Sequence, residues 1–251
     1  MERRRFSLPV EGFNLLGEVY IPEGEGARPA LCLCHGVPRG SRDPGDPGYP
    51  QLAHGFCEAG FLTLIFNFRG TGDSGGNFDI LGWTRDLEAI LDYLYAMKEV
   101  DSSRIFVMGF SGGAAVSVYV AAKDPRVSHL VTCACPAQFR AFEDAERARA
   151  MVEHFRRIQI IRDGDFPPSL SQWLDGFSQV RPIDRIHHIS PRPLLLSHGT
   201  ADDVVDPSQA WALYHRAKQP KEILMVEGAG HRLRLEEKAM DFLFSLNSQV
   251  V

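Results

Sequence analysis

Apolar and polar residues alternate through residues 3–21, in Phe6-Ser7-Leu8 and again in Glu18-Val19-Tyr20-Ile21, with Glu11-Gly12 between. Alternation of period two, broken by a turn dipeptide, predicts a β-hairpin. After a Gly/Pro-rich break the pattern changes to short continuous apolar runs at residues 30–34, 62–66, 105–108, 130–133, 194–196 and 223–226. Such runs suit strands buried on both faces. Helical spacing fills the gaps. Residues 83–97 place Leu87, Ile90, Leu91 and Leu94 near i, i+3, i+4 and i+7. Residues 112–122 are rich in alanine and valine and stop before Lys123-Asp124-Pro125, and 208–217 and 235–246 complete the set. Strands alternating with helices predict an α/β fold with a mostly parallel central sheet and helices on both faces.

One segment breaks this rhythm. Residues 138–190 contain two helical patterns, about 139–162 and 169–180, and no convincing strand. The expected organisation is a core of residues 1–137 and 191–251 with 138–190 inserted as a small helical cap over the strand C-termini.

Composition narrows the class. A chain of 251 residues that is 44% hydrophobic and 24% charged can bury a large single core. A formal charge of −5 argues against nucleic acid as a partner. Ser7, Pro9, Glu11 and Asn14 interrupt any N-terminal apolar stretch, and no run approaches the ~18 residues of a membrane span. The five cysteines, Cys32, Cys34, Cys57, Cys133 and Cys135, are an odd number, which fits a reducing compartment, and a cytoplasmic location is expected. The two Cys-x-Cys pairs lie in strand-like runs, where period two puts both members on one face as buried thiols.

The pattern Gly-x-Ser-x-Gly occurs twice, and by chance alone it should appear in roughly one chain in ten of this length. The first copy, Gly72-Asp73-Ser74-Gly75-Gly76, matches the segment around the nucleophile of trypsin-like proteases. Those proteases run in the order His, Asp, Ser, and the chain shows no double β-barrel pattern. The expected role of residues 69–74 is a tight loop after a strand. The second copy, Gly109-Phe110-Ser111-Gly112-Gly113, directly follows the run 105–108 and leads straight into a helical pattern. That is the context of a nucleophile elbow, a strand-to-helix turn that lifts a serine hydroxyl above the sheet. Glycines two residues either side of the serine admit the close backbone, and the helix N-terminus offers free N–H groups to a developing oxyanion.

A serine needs a base, and elbow serines are followed in the chain by an acid and then a histidine. His231, after the run 223–226 and the loop Glu227-Gly228-Ala229-Gly230, is the best base. His129, His154, His187, His188 and His198 precede the acid, and His215 lies within a helical pattern. The acid belongs in the loop after 193–199: Asp202 is the first choice and Asp203 the second, while Asp206 suits a helix cap ahead of Pro207. A second oxyanion donor besides the Gly112 N–H is expected from Val37, in the loop beginning His35-Gly36-Val37-Pro38. The Pro/Gly stretch 39–50 would form a mobile rim.

These pieces, His35-Gly36, the segment 67–74, the elbow at Ser111, the segment 198–205 and Gly228-Ala229-Gly230-His231, resemble the α/β-hydrolase superfamily over nearly the whole chain. The similarity extends to small bacterial esterases related to cinnamoyl esterases and serine aminopeptidases. Asp206 departs from that pattern, where relatives often place the proline directly after the valine. The resemblance implies a serine hydrolase with Ser111, Asp202 and His231 as catalytic triad, needing no cofactor or metal and acting on a small-molecule ester. Phe155, Phe166, Trp173 and Phe177 of the cap would shape the substrate pocket. The alternatives are a serine aminopeptidase or amidase, with Glu143, Asp144, Glu146 and Glu153 holding an α-amine, and a ligand-binding member of low turnover.

Overall fold

A computed structural model describes residues 1–40, 46–139, 145–236 and 240. Its strands are β1 (Glu2–Val10), β2 (Phe13–Ile21), β3 (Arg28–Cys34), β4 (Leu62–Phe66), β5 (Val100–Phe110), β6 (Val127–Cys133), β7 (Leu194–Gly199) and β8 (Lys221–Val226). Its helices are α1 (Gly48–Glu58), α2 (Ile80–Tyr95), α3 (Gly112–Ala121), α4 (Ala145–Arg157), α5 (Leu170–Gln179) and α6 (Ser208–Arg216). The eight strands form one sheet in the order β1-β2-β4-β3-β5-β6-β7-β8. The β1–β2 hairpin closes through Glu11 and Gly12, both with positive φ (46° and 89°). β1–β2 and β2–β4 pair antiparallel, and every later pair is parallel.

Period two sorts the core. On β3, Ala30, Cys32 and Cys34 face a core that includes Leu87, Leu91 and Leu94 of α2, Val116 and Val120 of α3 and Leu213 of α6. Leu31 and Leu33 face the opposite core, with Phe56 of α1, Phe61 and Met240. The chain passes from β3 to β4 on one side and then returns to place β5 on the other. Connections that diverge in this way open a crevice at the strand C-termini, the usual ligand position in an open α/β sheet. His35 and Ser111 immediately follow the two strands that flank it.

Several boundaries depart from expectation. α2 starts at Ile80 because the Asp79 carboxylate accepts the Leu81 and Gly82 N–H groups. Helix α1 begins inside the stretch expected as a mobile rim: Leu52, Ala53, Phe56 and Cys57 give it a buried face, and Asp46 accepts the Gly48 N–H at its start. Residues 41–45 of that stretch lie outside the described residues, as does most of the expected helix 235–246; Leu233–Leu235 form a 3₁₀ turn. Cys32 and Cys34 share a face with their sulfurs 4.0 Å apart. The second pair does not: β6 ends at Cys133, Ala134 takes a positive φ of 52°, and Cys133 and Cys135 enter opposite cores. Between β6 and β7 the described residues form α4, α5 and the 3₁₀ turns Pro182–Asp184 and Ile186–His188, with no strand.

Candidate active site

Ser111 sits at the junction of β5 and α3 with φ 51° and ψ −121°. L-residues rarely occupy this conformation, and the surroundings hold it. The Ser111 N–H donates to the Cys133 carbonyl at 2.8 Å, and its own carbonyl accepts from Ala114 N at 3.0 Å. The flanking glycines are sterically obligatory. A Cβ on Gly109 would lie 2.4 Å from Ala114 Cα, and one on Gly113 would lie 2.2 Å from the His35 carbonyl oxygen.

The other two elements arrive from β7 and β8. Their loops are tied together by Thr200 N–H to the Val226 carbonyl (3.0 Å), Ala201 N–H to the Ala229 carbonyl (3.0 Å) and Gly228 N–H to Thr200 Oγ1 (2.9 Å). This brings His231 Nδ1 to 2.8 Å from Asp202 Oδ2 and His231 Nε2 to 3.0 Å from Ser111 Oγ. With the proton on Nδ1 donated to the carboxylate, Nε2 is left as an acceptor for the serine hydroxyl. Asp202 Oδ1 accepts the Val204 and Val205 N–H groups, each at 2.9 Å. Burial works to raise the Asp202 carboxyl, but hydrogen bonds from His198, His231 and the two amides outweigh it and hold the carboxyl well below the usual range. Asp203, the second choice for the acid, is exposed. Asp206 accepts the Ser208 N–H at the start of α6, as a capping carboxylate should.

His198 is a participant that sequence reasoning set aside. It is buried at the end of β7, with Nε2 2.8 Å from the Val205 carbonyl and 3.2 Å from Asp202 Oδ2. Asp202 therefore lies between two imidazoles. The signal was its place four residues before the acid, but chain order had removed it from consideration as a base.

The loop after β3 is held by His35. The Phe68 N–H donates to His35 Nε2 at 3.1 Å, so the ring proton lies on Nδ1, which donates to the Gly36 carbonyl at 2.8 Å. Burial drives the His35 imidazole down to about 4, against the opposing Gly36 carbonyl, so it is neutral at physiological pH. A trans peptide directs its C=O and N–H to opposite sides; anchoring the Gly36 carbonyl therefore turns the Val37 N–H away from His35. Val37 N lies 3.6 Å from where a Gly112 Cβ would stand, and a Gly36 Cβ would lie 3.0 Å from Ser111 Cβ. The two amides named from the sequence as oxyanion donors thus adjoin the serine.

Ser74, in the other Gly-x-Ser-x-Gly copy, is fully buried; its hydroxyl donates to the Asn67 carbonyl (2.6 Å) and accepts from Leu16 N–H (2.9 Å). It is a structural serine of the loop after β4. His129 stacks on Phe106, His154 contacts Arg157, His187 and His188 pack on each other, and His215 lies beside Trp211.

A cavity of about 370 Å³ opens at Ser111 and His231. Val37, Pro38 and Phe110 give it apolar wall, Tyr49 and Asn67 add polar groups, and Arg39, Asp46, Arg232 and Arg234 are its charged lining. Phe155, Phe166, Trp173 and Phe177, expected at the substrate pocket, do not line this cavity. Phe155, Trp173 and Phe177 gather around Phe78, with ring centroids 4.9, 6.1 and 6.2 Å from it, and Trp173 Nε1 donates to the Phe78 carbonyl. Phe166 is half-buried against the same core. The apolar faces of α4 and α5 pack onto the loop before α2, where Phe155, Trp173 and Phe177 are buried.

An open, mostly parallel sheet, an elbow serine over its crevice and helices on both faces define the α/β-hydrolase fold. The model of the prolyl oligopeptidase family, Peptidase_S9, matches residues 49–244, and the chain belongs to that family of serine hydrolases. An uncharacterised protein of Mycobacterium tuberculosis is 28% identical over 224 residues, covering 88% of this chain and 69% of that protein. A Pseudomonas aeruginosa protein described as hypothetical superposes with a TM-score of 0.74 at 23% identity, covering 100% of this chain and 94% of the other. A Pyrococcus furiosus esterase superposes with a TM-score of 0.72 at 22% identity, covering 99% and 92%. Among the described residues no helix is long and apolar enough to cross a membrane.

Proposed function

We propose that the chain is a serine esterase acting through an acyl-enzyme on Ser111. The observation that carries this reading is the continuous hydrogen-bonded path from Ser111 Oγ through both nitrogens of His231 to Asp202. His231 Nε2 takes the serine proton as Oγ attacks the ester carbonyl carbon. Negative charge gathers on the carbonyl oxygen, where the Val37 and Gly112 N–H groups receive it. Collapse of the tetrahedral species breaks the bond to the alkoxy oxygen, and the imidazolium gives that oxygen its proton. Water then gives a proton to His231 as it attacks the acyl carbon; the bond to Ser111 Oγ breaks, the acid leaves, and the imidazolium returns its proton to Oγ. Asp202 stays ionised and stabilises the imidazolium. The apolar wall of Val37, Pro38 and Phe110 suits an organic acyl or alcohol group, and the carboxylate lining the cavity, Asp46, is already engaged by Arg234.

Two observations favour a second reading. The family is described as one of oligopeptidases, and a recess beside His231 carries Asp203 and Glu236 together with Arg39 and Arg232; in this reading its carboxylates hold a substrate α-amine. Of the acidic residues the sequence offered for that role, Glu146 and Glu153 are exposed on α4, Glu153 pairs with Arg156, and Glu143 and Asp144 lie outside the described residues.

A fluorophosphonate probe tests the nucleophile. Labelling is expected to disappear in Ser111→Ala and persist in folded Ser74→Ala; equal labelling of both variants would remove Ser111 from the role. Turnover of 4-nitrophenyl esters against aminoacyl anilides then separates the two readings, with ester hydrolysis expected to be faster.

A further inference from the structure

Asp202 is wrapped by its own turn. Its Oδ1 accepts the Val204 and Val205 N–H groups, each at 2.9 Å, so the backbone of residues 202–205 folds back on the carboxylate it carries. His198 closes the other side of that turn. Its Nε2 lies 2.8 Å from the Val205 carbonyl oxygen and 3.2 Å from Asp202 Oδ2. A carbonyl only accepts, so Nε2 carries a proton, and that proton serves both oxygens. Against burial, which pulls the Asp202 carboxyl up, His198 leads the contacts that hold it well below the usual range. The ring is buried on β7, which pairs with β6 on one side and β8 on the other. Its Nδ1 is buried too and has no hydrogen-bond partner among the described residues. An unmet buried acceptor is a cost, and the Nε2 edge alone sets the orientation of the ring.

Two amides on Oδ1 fix one oxygen of the carboxylate and leave the other free to pivot about it. Oδ2 is the oxygen that His231 Nδ1 meets at 2.8 Å. We infer that His198 is a positioning residue: its Nε2–H, carried on a strand paired on both sides, stops that pivot, keeps Oδ2 in line with His231 Nδ1, and so holds His231 Nε2 at Ser111 Oγ. With His198 in place, four donors use the roughly four lone-pair directions of the carboxylate. A misplacement of about 1 Å in a reacting group can cost ~10²-fold in rate, so a small rotation at Asp202 is felt at Ser111. The inference rests on the serine esterase reading above, in which His231 is the base for Ser111. A histidine that only packs the end of β7 would lower stability and leave the rate of the folded protein untouched.

Three variants separate these cases, read by 4-nitrophenyl ester turnover and by the rate of fluorophosphonate labelling. His198→Leu removes the donor at similar bulk, His198→Gln places a side-chain N–H near the position of Nε2, and Asp202→Ala removes the carboxylate. In His198→Leu, kcat and the labelling rate are expected to fall by about 10- to 100-fold, with KM nearly unchanged. His198→Gln should recover most of that loss. Added to Asp202→Ala, His198→Leu should change the labelling rate by less than about twofold, because the two side chains act as one unit. Wild-type rates in folded His198→Leu overturn the inference, as does a loss of equal size with and without Asp202. Should His198→Leu fail to fold, His198→Asn replaces it: its shorter side chain stops near Nδ1, so the Asn variant is expected to be the slow one, and equal rates in the Asn and Gln variants overturn the inference. In each of these outcomes an active wild-type chain leaves the esterase reading standing. Labelling without ester turnover removes the esterase reading, and the labelling rates still decide the role of His198. Absence of both labelling and turnover in the wild-type chain overturns the two together.

Discussion

Asp202 receives two backbone amides on one oxygen and two imidazoles on the other. Such a carboxylate positions His231 through hydrogen bonds as well as charge. Asp202→Asn is expected to lower kcat by about 10⁴-fold through the wrong imidazole tautomer, whereas exposed Asp203→Asn should change it by less than a few-fold; steady-state ester hydrolysis by both variants checks this. His35 carries a pH dependence of its own. Its folded-state value, about 4, lies below the ordinary histidine value, so protonation favours the unfolded chain. Its contribution is complete above pH ~6.5, declines as pH falls from there to ~4, and amounts to about 3 kcal/mol over that window. Urea denaturation at pH 7 and pH 4.5 should therefore show a smaller acid loss in His35→Phe than in the wild-type chain, even though the variant is less stable at pH 7.

Among the elements, the elbow leaves no room for a side chain at its glycines. A Cβ on Gly113 meets the carbonyl oxygens of His35 and Cys34 at 2.2 and 2.6 Å, and both belong to backbone at the end of β3. Gly113→Ala is expected to cost about 3 kcal/mol or more, at or beyond the upper end of ordinary overpacking. Gly164→Ala, with nothing within 4 Å of its Cβ, should leave the urea midpoint unchanged or slightly raised. The same physics explains what was legible in the sequence. Strands buried on both faces left continuous apolar runs, and the elbow needed glycines at fixed spacing, so the sheet and Ser111 could be read from pattern. Asp202 and His231 followed from chain order because each closes the loop after a strand. Helix α1 escaped because Gly48, Tyr49 and Pro50 read as turn punctuation and its apolar residues begin only at Leu52. The polar Asp101, Ser102 and Ser103 likewise hid the start of β5. The aromatics of α4 and α5 pack around Phe78, which their spacing could not announce because periodicity identifies an apolar face without saying what covers it. Asp46 and Tyr49 meet Arg234 at the cavity through contacts distant in sequence, which no local pattern records.

At the scale of the molecule, the segment between β6 and β7 is fastened to the body at the loop after β4. Arg162 donates to the carbonyls of Ser74 and Gly72, each at 2.7 Å, and Asn77 Oδ1 accepts from Arg162 N and Asp163 N. Arg162→Ala should speed amide exchange in α4 and α5 selectively while moving global stability by about 1–2 kcal/mol; exchange that rises equally in the central strands would contradict this. The twisted backbone of Ser111 reaches the thermodynamics of the entire fold. Alanine and glycine both lack the hydroxyl at position 111, so the difference between those two variants isolates the conformational penalty. Glycine ordinarily weakens a folded chain relative to alanine. Here Ser111→Gly is expected to be the sturdier of the two by about 1–3 kcal/mol, melting several degrees higher. With Ser111 in its proposed role as nucleophile, thermal durability at that one residue is traded for reactivity.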